Sequence, residues 1–464
     1  MTVTLSQVGQ ASSVTAFSSF STNFGVPAII LSPSTPTLLF TYETTSGYIA
    51  TGVLNGTTGF NVISTTAQVG IATYLPVKIW FLNAMVIGGA NVLPNLTNCP
   101  YISWFGFYNF STNSLTVLCG NSVITNQGLF LTDIALDFAN QYAYFWFVAG
   151  VANSGFIYRV PFSGLSSLVS QYKFPSSTTY AWIEVPNSPS TYDLAYSNLV
   201  YYNGNFYIVH SEQYQYINVW VVGLSSITWS SSPPSSAQSV GTLYTIFSGS
   251  SANVSFPIGF LNYYTSSGSV VYEILIYFIY NGSVYIYSFN PSNNTSTQLF
   301  TSSSIPAGRY AINVGGIIAF PVSISNSSGQ VTGYAVGVYD RKTNSYEQTS
   351  ALSNLIGFTV AHPYYALAIS GSASSMTITV YRILVDTTPA FQNVSYSSGV
   401  LSGQLINLNG NTPLSGVTVY LYKLASEGDE YNSGTLVTST TTDSNGNFSF
   451  NISNPGYYVI DYIA

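Results

Sequence analysis

Short apolar and aromatic runs recur along the whole chain, each closed by a Gly, Asn or Ser turn and followed by another run of the same kind. LVYYNGNFYIVH from Leu199, LIYFIYNGSVYIYSF from Leu275 and YAVGVYDRKTNSYEQTS from Tyr334 are examples. Apolar residues alternate at period two within them, and helical periodicity is nearly absent. That combination predicts antiparallel β-hairpins rather than helices. Seven hairpin markers stand at positions 54, 108, 162, 222, 289, 339 and 381, spaced 42 to 67 residues apart. Four-stranded propeller blades repeat at about 40–50 residues, and longer loops stretch the interval. An all-β fold with a β-propeller of about seven blades over residues 1–388 is therefore expected. A stack of β-sandwiches would account for the same hairpins.

One turn repeats. YDRKTNSY from Tyr339 is echoed by YNFSTNSL from Tyr108 and by FNPSNNTST from Phe289, while GLSS recurs at Gly164 and Gly223. Gly315 and Gly316 precede Tyr339 and Asp340, and Gly88 and Gly89 precede Tyr108. On these residues the region resembles a degenerate kelch-type propeller over about 20–388. Other units lack the glycine doublet, and Trp229 is read as the blade tryptophan.

A break in composition follows in DTTPAFQNVSYSSG from Asp386, where Pro389 and small polar residues read as a linker over 389–397. Residues 398–464 carry Gly403, Pro413-Leu414-Ser415-Gly416-Val417, Thr442-Asp443 with Gly446 and Phe448, and a closing Tyr457-Tyr458-Val459. This pattern resembles the carboxypeptidase regulatory-like and Cna-B group of small transthyretin-like β-sandwiches, which implies a stalk or spacer. Its lysine, Lys423, falls on the second strand rather than the first, so no internal isopeptide bond is expected.

Composition changes the picture in two ways. Of 464 residues 47% are hydrophobic but only 5% charged, so Ser, Thr, Asn and 39 Tyr must solvate the surface. The longest apolar stretch, YAYFWFVAGVA from Tyr142, is well short of the roughly 18 residues of a membrane-spanning helix. With so few carboxylates to protonate, stability is expected to vary little with acid. The formal charge of −7, with no basic run, argues against nucleic acid and anionic membrane as partners.

Cys99 and Cys119 could form one disulfide. A turn centred near Phe110 would set Cys119 opposite Trp104, so bridging needs the chain near Pro100 to fold back. Asn-x-Ser/Thr sequons occur at Asn55, Asn95, Asn109, Asn253, Asn281, Asn293, Asn294, Asn326, Asn393, Asn447 and Asn451. Together they favour an exposed, glycosylated protein. The opening MTVTLSQVGQASS lacks the basic and apolar segments of a signal peptide. A virion protein would need none.

Catalytic chemistry is sparse. Asp133 and Asp137 sit four apart in LTDIALDFAN, on one face of a strand, as a glycosidase pair or as polar strand ends. SSITWSSS at Ser225 lacks the Asp and Gly of a sialidase turn. His210 and His362 are far apart with no Cys or acidic cluster, so no metal site is expected. No phosphate loop and no nucleophile elbow occurs. Asp443-Ser444-Asn445-Gly446-Asn447 reads as a tight turn rather than a calcium loop, since the distal glutamate is missing.

The reading is thus of a non-catalytic chain with no cofactor, whose tyrosines mostly pack between blades while some stack on sugars. In general character it resembles the tail-fibre, host-attachment proteins of spindle-shaped viruses of thermoacidophilic archaea. That implies a virion-surface location, a host cell-surface glycan or glycoprotein as partner, contacts with other virion proteins, and room for a homo-oligomer. A cellular archaeal surface glycoprotein, with surface-layer proteins as neighbours, and a secreted glycan-active enzyme stand as the alternatives.

Overall fold

The computed structural model describes residues 1–14, the strands between 28 and 119 as backbone, and residues 130–463 apart from short connecting stretches. Regular structure among the described residues is strand, except for the helix Phe162–Gln171 and the 3-10 turn Leu224–Ser226. Six successive sheets take their strands in chain order. They run from Ala28–Ser32 to Gly59–Thr66, from Val77–Ile79 to Ser114–Cys119, from Phe130–Asp137 to Thr179–Glu184, from Tyr192–Tyr202 to Thr242–Ser248, from Ile258–Ser266 to Thr295–Ser302, and from Ile312–Val314 to Ser345–Gln348. A closing sheet takes Leu355–Ala361, Tyr365–Ser372 and Ser375–Val385, then completes itself with Val3–Val14 from the other end of the chain. Its register is antiparallel, with Val3 opposite Val385.

The sheets form a ring. Phe130–Asp137 packs beside Tyr192–Tyr202, which packs beside Ile258–Ser266, and Ala28–Ser32 returns to Leu355–Ala361. Each of these is the first strand of its sheet, so the first strands line the inside. This is a β-propeller, closed by pairing Val3–Val14 with Ser375–Val385. Each of the seven hairpin markers falls in a different sheet, within or directly after its third strand.

Sheet faces pack through large flat side chains. Trp146 and Trp220, both fully buried, meet at 6.4 Å between the third and fourth sheets, and Tyr277 meets Phe320 at 5.4 Å between the fifth and sixth. The buried blade tryptophans are thus Trp146 and Trp220, whereas Trp229 lies half-buried on a loop. At Gly164 the expected strand–turn unit is a helix instead, because Leu165 and Leu168 bury one helical face against Phe174. The kelch-like doublets also occupy different places. Gly316 stands before the second strand of the sixth sheet, but Gly88 and Gly89 end the second strand of theirs.

The C-terminal part is a two-sheet sandwich. Val400–Asn407 pairs with Asn447–Asn451 on one side, and Thr418–Leu424 lies between Thr435–Thr441 and Tyr457–Ile463 on the other. Leu405, Val419, Leu421, Phe448 and Phe450 fill the space between. Gly403 is needed there, since a Cβ would meet the Phe448 ring at 2.7 Å. The reading of 389–397 as a linker is corrected. Pro389–Ser397 is a strand paired with Val400–Asn407 through a tight turn at Ser398 and Gly399, both with positive φ. Phe391 anchors it on Phe448, with ring centroids 5.4 Å apart. Proline is tolerated because it opens the strand at an edge.

Candidate functional site

A loop from the fourth sheet reaches back over the third. Gln238–Ser239 pairs in parallel with Thr179–Glu184, and Ser230 exchanges backbone hydrogen bonds with Tyr180 at 2.8 and 3.0 Å. The Gln238 amide clasps the Thr228 backbone, accepting from its N–H and donating to its carbonyl at 2.8 Å each. Pinned on both sides, Trp229 lies over Arg159, whose guanidinium carbon is 4.3 Å from the Trp229 ring and 4.9 Å from Tyr142. Arg159 Nε donates to Thr179 Oγ1 at 2.9 Å, which fixes the plane of the fork.

Tyr144 is buried beside these rings, its ring centroid 6.0 Å from that of Trp229 and 5.6 Å from that of Tyr201. The buried Asp137 carboxylate organises the rim. It accepts from Asn140 N at 3.0 Å, from Asn140 Nδ2 at 2.8 Å and from the Tyr144 hydroxyl at 3.3 Å. Burial first, and then a hydrogen bond to Asp137, pushes Tyr201 up to about 12. Burial and the Asp137 charge raise Tyr144 as well. Both phenols therefore stay protonated and able to donate. Tyr142, Arg159, Tyr201 and Trp229 are half-buried and Asn140 is exposed. What water sees is aromatic surface, a guanidinium and an amide. That set can stack on an apolar ring face and donate to hydroxyls.

Asp133 and Asp137 do share a face of Phe130–Asp137, as expected, but a strand rises about 3.3 Å per residue, which sets them roughly 13 Å apart. Glycosidase carboxyls stand about 5–9.5 Å apart. Asp133 instead ties two inner strands together. It accepts from Leu199 N and Ile134 N at 2.8 Å and from Asn198 Nδ2 at 3.4 Å. Asn198 carries the link onward by accepting from Gly259 N at 3.1 Å. Burial pushes the Asp133 carboxyl up to about 6 against these donors.

His210 is fully buried on the second strand of the fourth sheet, and His362 lies outside the described residues. No cluster of metal-ligating side chains occurs among the described residues. Cys99 is also outside them, and Cys119 stands opposite Trp104 in the backbone register. The Asp443 carboxylate closes its own turn, accepting from Asn445 N, Asn447 N and Asn447 Nδ2. The described helices include none long and apolar enough to cross a membrane.

No family model matches the chain, and no curated protein matches it in sequence. Among solved structures it is similar to oligogalacturonate lyase from Vibrio parahaemolyticus, at 12% identity and a TM-score of 0.37, over 82% of this chain and 98% of that one. It is similar to the SapL1 lectin in complex with α-methyl fucoside, at 12% identity and a TM-score of 0.41, over 72% and 97%. It is similar as well to puromycin hydrolase, at 9% identity and a TM-score of 0.37, over 86% of this chain and 58% of that one. At these identities the likeness concerns the fold. The expectation of a non-catalytic chain is corrected here: oligogalacturonate lyase and puromycin hydrolase, both enzymes, are among the structures it is similar to.

Sequence reasoning missed Arg159 and misread Trp229. One signal was present. With eight Lys and Arg in 464 residues, an arginine between aromatic strands stands out.

Proposed function

We propose that the propeller is a recognition head for neutral sugars on a cell surface, with the Trp229–Arg159–Tyr142 rim as the contact. The carrying observation is that rim: an arginine whose guanidinium lies over two half-buried rings, with Asn140 exposed. Rings of this kind stack on the apolar face of a pyranose, and the fork and amide reach its hydroxyls. The finer form of the reading is host attachment from the surface of a virus particle, in the manner of a tail fibre, with the sandwich as a spacer. The sparse charge and the many sequons support an exterior setting for it.

The test is to apply the whole chain to immobilised neutral glycans and to uronic-acid glycans, at low salt and at about 1 M salt. Binding to neutral glycans that survives salt supports the proposal. Binding confined to acidic glycans and lost in salt overturns it.

A further inference from the structure

Two sequons, in neighbouring sheets, share one hydrogen-bonded form. Asn293 Oδ1 accepts from the N–H of Thr295 at 3.2 Å and from its hydroxyl at 2.7 Å. Asn326 Oδ1 accepts from the N–H of Ser328 at 3.1 Å and from its hydroxyl at 2.7 Å, with Gln330 N a third donor at 3.0 Å. In each case the donor is the third residue of the sequon itself. Holding the amide oxygen inward identifies it as the oxygen and leaves Nδ2 with no protein partner among the described residues. Both asparagines are exposed, at turns between adjacent strands.

Two other exposed sequons are built the opposite way. Asn253 Nδ2 donates to Asn281 Oδ1 at 2.8 Å, and the Ser251 hydroxyl donates to that same oxygen. Asn447 Nδ2 donates to the Asp443 carboxylate at 3.1 Å. At these two positions the nitrogen that a sugar must join is already bonded. Asn294, whose sequon overlaps that of Asn293, is half-buried with φ at 56°.

We propose that Asn293 and Asn326 are the N-glycan attachment sites of these turns, and that Asn253 and Asn447 stay bare because their amide nitrogens hold the fold together. The reaction joins Nδ2 to the anomeric carbon of an oligosaccharide carried as a lipid-linked phosphate ester. The carbon–oxygen bond to phosphate breaks with its electron pair leaving on the phosphate, and one Nδ2 proton passes to a base of the glycosyltransferase. A hydroxyl donating to Oδ1 polarises the amide toward loss of that proton. An Nδ2 bonded to carboxylate or carbonyl must first break that bond. The inference is independent of what the propeller recognises.

The test is site-by-site glycopeptide mass spectrometry on the full chain, made in a host that attaches N-linked oligosaccharides. Occupancy at Asn293 and Asn326 is expected to exceed that at Asn253 and Asn447 by about tenfold or more. Asn281→Gly keeps the positive-φ turn but removes the acceptor oxygen, so a glycan should then appear on Asn253. Asp443→Ala should likewise release Asn447. Equal occupancy at all four sites in the unsubstituted chain, or bare Asn293 and Asn326, would overturn the proposal.

Discussion

Glu273 and Arg341 form an ion pair at 2.9 Å across the boundary between the fifth and sixth sheets, with Glu273 only 2% exposed. Asn262 Nδ2 donates to the same carboxylate at 3.0 Å, and the Ser288 hydroxyl donates to its other oxygen. Removing Arg341 would strand a buried charge, which costs more than the pair itself contributes. Arg341→Ala is expected to lower stability by about 3 kcal/mol at neutral pH. Adding Glu273→Gln should recover part of that, since it removes the charge, its remaining oxygen still accepts from Asn262, and the Ser288 hydroxyl can turn to accept from the new amide. Urea midpoints of the single and double variants check this. Equal midpoints would show that the stranded charge is not the cause.

Asp133 and His210 set opposite responses to acid. The Asp133 carboxyl is raised to about 6 by burial, so its contribution is fully present below its ordinary value and lost as pH rises through 6. His210 is lowered to about 4 by burial, so its contribution is present above its ordinary value and lost as pH falls through 4. Each shift is about two units or slightly more, roughly 3 kcal/mol, and the two nearly cancel between pH 6.5 and 4. A flat profile is expected for the unsubstituted chain. His210→Gln should grow more stable on acidification over that window, and Asp133→Asn less stable. Thermal melts in half-unit steps decide it; parallel profiles for all three proteins would refute the assignment.

That flatness was expected from composition for a different reason, a shortage of carboxylates. Net charge reports how many groups titrate, whereas the response depends on which few are buried, and burial is a tertiary property. The same division runs through the fold. The turn after Tyr339 was legible because Asp340 bonds locally, accepting from Lys342 N and the Thr343 hydroxyl. Asn281-Gly282 was legible because both residues adopt the positive φ that such a hairpin needs. The strand at Pro389–Ser397 was not, since polar residues give it no alternation and only Phe391 reaches the core. The Trp229–Arg159 rim was not, because a parallel pairing between residues 183–184 and 238–239 creates it, and no local pattern announces a loop crossing to another sheet.

Val3–Val14 supplies the outer strand of the closing sheet, so the ring is held by a segment from the far end of the chain. Deleting residues 1–14 would leave Ser375–Val385 as a bare edge, prone to pair with another chain. A lower melting temperature and aggregation are expected, measured by thermal scan with light scattering. The milder Val3→Asp places a charge at a position 6% exposed and should cost about 3 kcal/mol without aggregation at low temperature. A truncated chain melting at the unsubstituted temperature would show that the strand is dispensable.

The sugar-binding rim makes the sharpest demand on single side chains. Trp229 contributes a ring face, and the Arg159 guanidinium lies over both its ring and that of Tyr142. Trp229→Ala removes the stacking surface and frees the fork, so affinity for a neutral glycan should fall about tenfold or more. Arg159→Lys keeps the charge but loses the planar fork and its stacking, so it should weaken binding nearly as much. If attraction were Coulombic, the lysine would suffice and added salt would abolish binding. Trp229 packs against the cluster that holds the buried Trp146 and Trp220, so Arg159→Lys, which leaves Trp229 in place, is the variant whose near-ultraviolet circular dichroism should keep the signature of the core. Calorimetric titration of both variants at two salt concentrations separates the cases, and a lysine variant that binds like the unsubstituted chain would rule out stacking as the source of affinity.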